Sequence, residues 1–436
     1  MTLESSPRPA AGSLALQRLV DRLSQSAYLL AVRDGVVGAL PLILVASAFL
    51  LIAQPPIPSL QPLVDPYLST ILLPFKMLTK VIALYVAFGV GHSLAKRYGT
   101  DPLAGGLLAV ACLLVSTNPM ALAPDATTGK PPPGFGLHSE PVGPAGIFPA
   151  LVLAIFAVEV QRFMVQKKLV IRLPGGAPEP IIQSFIALLP ALVSVTIVWL
   201  VVHVAGFDLH GVVTMLARPL VKAGDSYLGM IGIVLIDSVF WLMGVHPSAV
   251  LSVAKPVWFQ MLGENQIAAT AGAPLPHIAP RETYLAFIWF GGSGGTLVLP
   301  FLMWRAKSAV LRTVGRAAAV PSLFNINEPI LFGVPIVMNR ALAVPFVLAP
   351  VVSVTLTYFA FSLNLVDRPR LDFPWTLPAP VCAWLTTRGD PRALILLTLN
   401  ILSSALIFWP YVRRYDRELA EKEQRTRAAE TQAPAA

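Results

Sequence analysis

The sequence predicts an all-α polytopic membrane protein, and three observations carry that prediction. Of the 436 residues, 55% are apolar and only 13% charged, with a mean hydropathy of +0.69, too apolar a balance for a water-soluble globular chain. The apolar residues fall in long blocks, the form that bilayer-spanning helices need. Roughly 20 residues at about 1.5 Å rise cross a hydrocarbon core of about 30 Å. The alternating segments of about ten residues that mark a transmembrane β-barrel are not found in the sequence.

Charge and cysteine usage exclude other classes. The formal charge of +9 would point to nucleic acid in a soluble chain. Here the basic residues cluster in short loops beside apolar blocks, where they set topology and meet anionic headgroups. The partner of this charge is therefore the lipid bilayer, with no nucleic acid expected. Cys112 and Cys382 sit in apolar contexts with neither metal spacing nor a disulfide framework, so no metal or cofactor is expected. Met1 to Gln17 lacks the basic-then-apolar layout of a signal peptide and reads as a retained cytoplasmic tail.

Taken in order, residues 1–15 are Ser/Pro/Ala-rich and read as disordered, and Leu16 to Tyr28 as a helix lying in the interface. The first span covers 36–52 and ends at Gln54-Pro55-Pro56; the loop 54–70 carries no Lys or Arg, which places it outside. A block at 71–94 returns to Lys96-Arg97. A third at 102–117 opens on Asp101-Pro102, and the Pro/Gly-rich loop 118–143 follows, with one Lys. The fourth, 144–162, runs into Arg162, Lys167, Lys168 and Arg172, and the fifth is 183–204. The alternating charge gives an N-inside topology.

The second half is less regular. Leu209–Lys222 reads as an amphipathic interfacial connector, and 227–243 as a span ending at Gly244-Val245-His246-Pro247. Five prolines interrupt 246–280, which makes a poor span and a fair re-entrant hairpin. A block at 283–304 contains Gly291-Gly292-Ser293-Gly294-Gly295 and ends in Arg305 and Lys307. Blocks at 343–365 and 392–411 flank a Pro/Trp-rich segment, 372–387, and 413–436 is a charged cytoplasmic tail. The expected organisation is a five-span scaffold half, 16–205, and a transport half, 206–412, whose spans break at polar residues; regular spans build scaffolds and broken ones build sites.

The most informative stretch is Leu323-Phe324-Asn325-Ile326-Asn327-Glu328-Pro329-Ile330-Leu331-Phe332-Gly333-Val334. A carboxylate in a membrane-embedded run is costly and is a functional candidate by default. Pro329 steers Glu328 away from mid-helix, so the carboxylate belongs at a break in the backbone. Irregular backbone at membrane depth persists only where protein encloses it or it lines a wet cavity.

This stretch resembles the signature of the membrane (IIC) component of bacterial phosphotransferase-system sugar transporters, lactose/cellobiose/diacetylchitobiose family. Other matches fall in order: His92-Ser93-Leu94-Ala95-Lys96-Arg97-Tyr98 with Asp101 to Leu108, Trp241-Leu242-Met243-Gly244-Val245-His246, Trp289 to Leu297, and Pro374-Trp375-Thr376-Leu377-Pro378. The resemblance covers about residues 15–415 and implies a glucose-superfamily IIC-like fold with about ten transmembrane helices and two re-entrant hairpins. It implies a homodimer held by the first five spans, in the bacterial inner membrane with both termini cytoplasmic. The implied activity is uptake of a β-linked disaccharide, phosphorylated on its 6-hydroxyl by a separate IIB protein served by IIA and HPr. Carried over, His246 and Glu328 hold the sugar, and Glu328 orients the reacting hydroxyl or takes its proton. Asn325 and Asn327 can donate and accept, and Trp375 can cover an apolar sugar face.

Competing structural readings stand beside these. Glu328 could serve only as a paired buried carboxylate, His246 as a helix-end residue, and the asparagines as partners for free backbone groups. Trp375 and Trp384 also fit an interfacial belt. The Gly291–Gly295 stretch fits close packing or a hinge better than a phosphate cradle, and Asp237, Arg281 and Glu282 are further ionisable residues without an assigned role. Pro247 stands where many relatives would have glycine. A non-phosphorylating sugar sensor and an ion-coupled transporter are the alternative functions.

Overall fold

The structure, a computed structural model, describes residues 26–121, 134–171, 178–334 and 340–432. The expected N-terminal tail, most of the interfacial helix from Leu16, the middle of the loop 118–143, and Arg172 lie outside the described residues. An apolar chain must satisfy its peptide groups internally, and this one does so as helix. In chain order come α1 (Ala27–Ala53), α2 (Leu68–Thr79), α3 (Ile82–Arg97), α4 (Pro102–Val115), a short antiparallel pair β1 (Pro119–Ala121) and β2 (Phe135–Leu137), α5 (Ile147–Gln166) and α6 (Glu179–Trp199). Further along are α7 (Leu209–Gly224), α8 (Tyr227–Leu242), α9 (Lys255–Thr270), α10 (Arg281–Phe287), α11 (Ala309–Leu323), α12 (Glu328–Gly333), α13 (Arg340–Ser362), α14 (Ala379–Thr386) and α15 (Pro391–Gln432).

Among the described residues six stretches are long and apolar enough to cross a bilayer: Ala27–Ala53, Gln61–Arg97, Pro144–Gln166, Ile181–Val204, Ala341–Ser362 and Pro391–Arg427. The pair α7 and α8 meets the same test but bends by 74°. The block 283–304 is not one helix. α10 stops at Phe287, Gly291, Gly292, Gly294 and Gly295 all take positive φ, and α-helix resumes only at Leu299–Met303, after a 3-10 turn at Thr296–Val298. The charged tail is helical as far as Gln432, continuing α15.

The chain divides into two compact units that interleave along the sequence. The first takes Met1–Leu40, Val81–Met215 and Ser248–Pro256. Its core is α3, α4 and α5, buried through small residues such as Ala83, Ala87, Ala109, Ala154 and Ala157. A Cβ on Gly91 would strike the carbonyl of Gly105, and one on Gly35 would strike the backbone of Val90. Such residues let helix backbones approach closely where lipid offers no hydrophobic driving force. Asp101 caps α4 by accepting from the Leu103 N–H at 3.0 Å, with Pro102 in the first turn. Polar groups gather beside these helix ends: Asp34 accepts from Arg33, Ser93 and Arg97, and Glu159 accepts from Tyr28 and Tyr98.

The second unit takes Pro41–Lys80, Leu216–Pro247 and Val257–Ala436. Trp241, Leu299, Met303, Leu311, Ile330, Phe346 and Phe408 form its main buried cluster. Ser226 caps α8 through the Gly229 N–H at 3.0 Å. This unit holds the broken helices, and with them most of the buried polar groups.

Candidate functional site

The candidate site is built on the loop between α11 and α12. Asn325 takes a left-handed backbone, φ +62°, which asparagine tolerates better than other non-glycine residues. The buried Asn325 amide is fully used: Nδ2 donates to the carbonyls of Trp375 and Leu377 at 2.8 Å each, and Oδ1 accepts from the Gly291 N–H at 2.8 Å. Asn327, also buried, donates to the Ser293 carbonyl at 2.9 Å and the Thr296 hydroxyl at 3.1 Å. Asp237 of α8 accepts from the Ser293 hydroxyl at 3.1 Å. With Ser404 donating to the Gly295 carbonyl at 2.9 Å, the glycine stretch is held by four polar side chains, and its glycines are sterically required. A Cβ on Gly292 would enter the Asn327 amide, one on Gly294 the Phe346 ring, and one on Gly291 the Leu297 backbone.

α12 starts at Glu328, with Asn327 outside the helical region as its N-cap and Pro329 in the first turn, where a missing N–H leaves nothing unsatisfied. The Glu328 side chain is exposed and accepts no hydrogen bond among the described residues. Phe332, one turn on and on the same side of α12, meets the Trp241 ring at 6.5 Å between centroids. His246 meets the same indole at 4.8 Å, and it too is exposed. Trp241 therefore links the segment bearing His246 to the helix bearing Glu328. Trp375 is 51% exposed while its carbonyl is fixed by Asn325. These contacts tie together the segments that bear the five predicted site residues: Asn325 and Asn327 are buried braces, and Glu328, His246 and Trp375 present accessible side chains.

A second polar group of the same unit surrounds His277, in the turn between α9 and α10. Its Nδ1 lies 3.0 Å from an Asp225 oxygen and its Nε2 2.5 Å from a Glu264 oxygen. Two ionised carboxylates offer only acceptors, so both ring nitrogens must donate and the ring is an imidazolium. Burial alone would lower its pKa, but the bonds and charges of Asp225 and Glu264 outweigh that and push it up to about 9. Asn265 clasps the same turn by accepting from the His277 N–H and donating to its carbonyl, at 2.9 Å each. Asp225 also accepts from the N–H groups of Ile278 and Ala279 at 2.8 Å. Beside this clasp, Trp258, Tyr284 and Trp289 form an aromatic cluster with centroid spacings from 5.2 to 6.4 Å.

Sequence reasoning left Asp237, Arg281 and Glu282 unassigned. Asp237 braces the glycine stretch. Arg281 donates to Asp372 at 2.7 Å and lies 3.4 Å from Glu282, so it pairs with both a sequence neighbour and the segment leading to Trp375. His92 stacks on Phe88 at 5.9 Å, and Cys112 and Cys382 are buried. Trp384 accepts at its carbonyl from Gly389 and takes no part in the site neighbourhood. Trp241 was not singled out, although it opens the quoted run that ends in His246. The His277 clasp was missed because its members are scattered and none sits in a motif.

Comparison with known proteins bears on this geometry. The family model described as "Phosphotransferase system, EIIC" matches residues 33–350. The lichenan permease IIC component of Bacillus subtilis (strain 168) is 33% identical over 445 residues, covering 99% of this chain and 96% of that protein. The cellobiose-specific EIIC component of Geobacillus stearothermophilus is 34% identical over 438 residues, covering 97% of this chain and 95% of that protein. Among solved structures, the transporter ChbC, the IIC component of the N,N'-diacetylchitobiose-specific phosphotransferase system, superposes with a TM-score of 0.86 at 31% identity, covering 94% of this chain and 99% of that one. Matches over nearly the whole length, in sequence and in fold, establish that this multi-pass membrane chain belongs to the EIIC sugar-transport components of the phosphotransferase system.

Proposed function

We propose that the chain binds a β-linked disaccharide of the cellobiose, diacetylchitobiose or lactose type, carries it inward, and presents its 6-hydroxyl to a separate IIB protein. The observation that carries this reading is the exposed Glu328 at the start of α12, with the exposed His246 against the same Trp241 ring that Phe332 of α12 meets. A carboxylate accepts from sugar hydroxyls, an imidazole donates or accepts, and the half-exposed Trp375 offers an apolar platform for a sugar ring. In the transfer step, the 6-oxygen forms a bond to phosphorus as the sulfur–phosphorus bond of the IIB phosphocysteine breaks, and Glu328 accepts the hydroxyl proton. Such a reaction needs chiefly positioning and charge stabilisation. The phosphoryl group reaches IIB through IIA and HPr. The working unit is a homodimer joined through the first five spans, with both termini cytoplasmic in the bacterial inner membrane, as the family resemblance implies. The test is sealed vesicles holding this protein, a cognate IIB and a phosphoryl donor, given a panel of β-linked disaccharides. Accumulation of one sugar phosphate, abolished by Glu328→Gln with the melting temperature unchanged, is the expected outcome. Wild-type accumulation in Glu328→Gln removes that carboxylate from the mechanism, and no accumulation of any sugar phosphate rejects the coupling to IIB.

A further inference from the structure

In the second unit, apart from the residues of the sugar-site neighbourhood, a cavity of about 490 Å³ opens between the turn after α9 (residues 272–275), the segment after α13 (Asn364 to Arg370) and Arg388 beyond α14. Its walls carry three arginines, Arg368, Arg370 and Arg388, and one carboxylate, Asp367. Arg370 pairs with Asp367 at 2.9 Å. Arg392 stands behind, 3.8 Å from Asp367 and 2.9 Å from Asp390. Four guanidinium groups thus share two carboxylates.

Among the described residues, the arginines of this cluster without a carboxylate partner are Arg368 and Arg388. Arg368 donates to the carbonyls of Leu275 and Pro276 at 2.7 and 3.1 Å, and Arg388 to Gln61 Oε1 at 3.0 Å. Neutral acceptors orient a guanidinium without cancelling its charge. The repulsion shows at Arg370, whose pKa is lowered, first by burial and then by Arg388, despite its bond to Asp367. An arginine fork used on one edge keeps donors free on the other, and guanidinium geometry suits tetrahedral oxyanions.

We propose that this cavity is a binding site for a phosphate-type oxyanion, free or carried on a lipid headgroup, with Arg368 and Arg388 as its principal donors and Asp367 as the group that limits its affinity. The site is independent of the sugar reading. Because Arg368 also holds the carbonyls of the turn after α9, the bound anion fixes that turn in place.

The test uses the full-length purified chain in phosphatidylcholine nanodiscs, titrated with inorganic phosphate at constant ionic strength and read by melting temperature and calorimetry. A saturable rise in melting temperature is expected. Arg388→Gln should weaken phosphate roughly tenfold and Asp367→Asn tighten it roughly fivefold, opposite effects that a merely structural role for either residue does not produce. Arg388→Lys keeps the charge without the fork and should fall between, which covers the case in which Asp367→Asn folds poorly. Nanodiscs containing phosphatidylglycerol form the second arm. Stabilisation by that lipid alone, lost in Arg388→Gln, assigns the site to headgroup phosphate. No saturable effect from either probe, or equal effects in wild type and Arg388→Gln, overturns the proposal.

Discussion

In the first unit Gly91 of α3 rests against the carbonyl of Gly105 in α4, whereas in the second Gly292 rests against the side-chain amide of Asn327. Both glycines exist because a Cβ has no room, but the neighbours differ in kind. Gly91 lies in continuous helix and lets two regular backbones approach, so its role is packing. Gly292 has φ +99° and sits where the helix has been broken, so its role is to let freed backbone groups find side-chain partners. The first unit gathers its charged groups around Asp34 and Glu159, and buried polar side chains such as Gln161 and Ser194 lie there on continuous helix. The second buries Asn325, Asn327, Asp237 and Ser322. Regular packing makes a scaffold; a braced break makes a place where polar side chains can be presented.

The sharpest way to break this contrast is Gly292→Ala. The new methyl meets the Asn327 amide, and alanine pays for the positive φ as well, so a loss of about 4 kcal/mol or failure to fold is expected, measured as melting temperature in detergent. Asn325→Ala should cost about 3 kcal/mol, since the amide makes three bonds and the backbone is left-handed. Asn325→Gly removes the same bonds but accepts the φ, so it should recover about 1 kcal/mol of that loss. If the two variants melt together, the backbone part of the account is wrong.

How much of this was legible in the sequence follows the same contrast. Apolar blocks located the long helices, with the first expected to end at 52 against Ala53 and the second at 94 against Arg97, but the expected start at 36 missed the turns of α1 from Ala27 that carry Arg33 and Asp34. Glu328 and His246 stood out as polar residues beside Pro and Gly in apolar runs. The expected 283–304 span failed because apolar content hid four positive-φ glycines, whose backbone role depends on partners 34 residues away, Asn325 and Asn327. The interleaving of the two units was not visible either: residues 41–80 group with the C-terminal half through tertiary contacts such as Gln266 to Ser47 at 3.0 Å, which leave no local pattern. The asparagines were legible as polar but not as braces, since one spacing serves both roles.

The His277 clasp predicts a pH dependence confined to the second unit. Its folded pKa of about 9 lies above the ordinary 6.5, so the proton stabilises the folded state. That contribution is fully present below pH 6.5, declines as pH rises, and is lost above about 9. With the side chain 13% exposed, a change of about 2 kcal/mol is expected across that window. His277→Gln should be less stable at pH 6 and should flatten the decline in melting temperature. A slope unchanged in that variant assigns the titration elsewhere.

The smallest expected effect belongs to the first unit. Gly91→Ala gains helix propensity, worth about 1 kcal/mol, but pushes α3 away from the Gly105 carbonyl and the Ala109 methyl. The clash outweighs that gain, because the Gly105 carbonyl oxygen would lie 2.5 Å from the new Cβ and the two helices must part, so a net loss of at least about 1 kcal/mol is expected. Sugar affinity, measured by calorimetry on the same preparation, should stay at the wild-type value. A drop in affinity without a drop in melting temperature would mean that α3 and α4 do more than pack, and the division between scaffold and site would have to be redrawn.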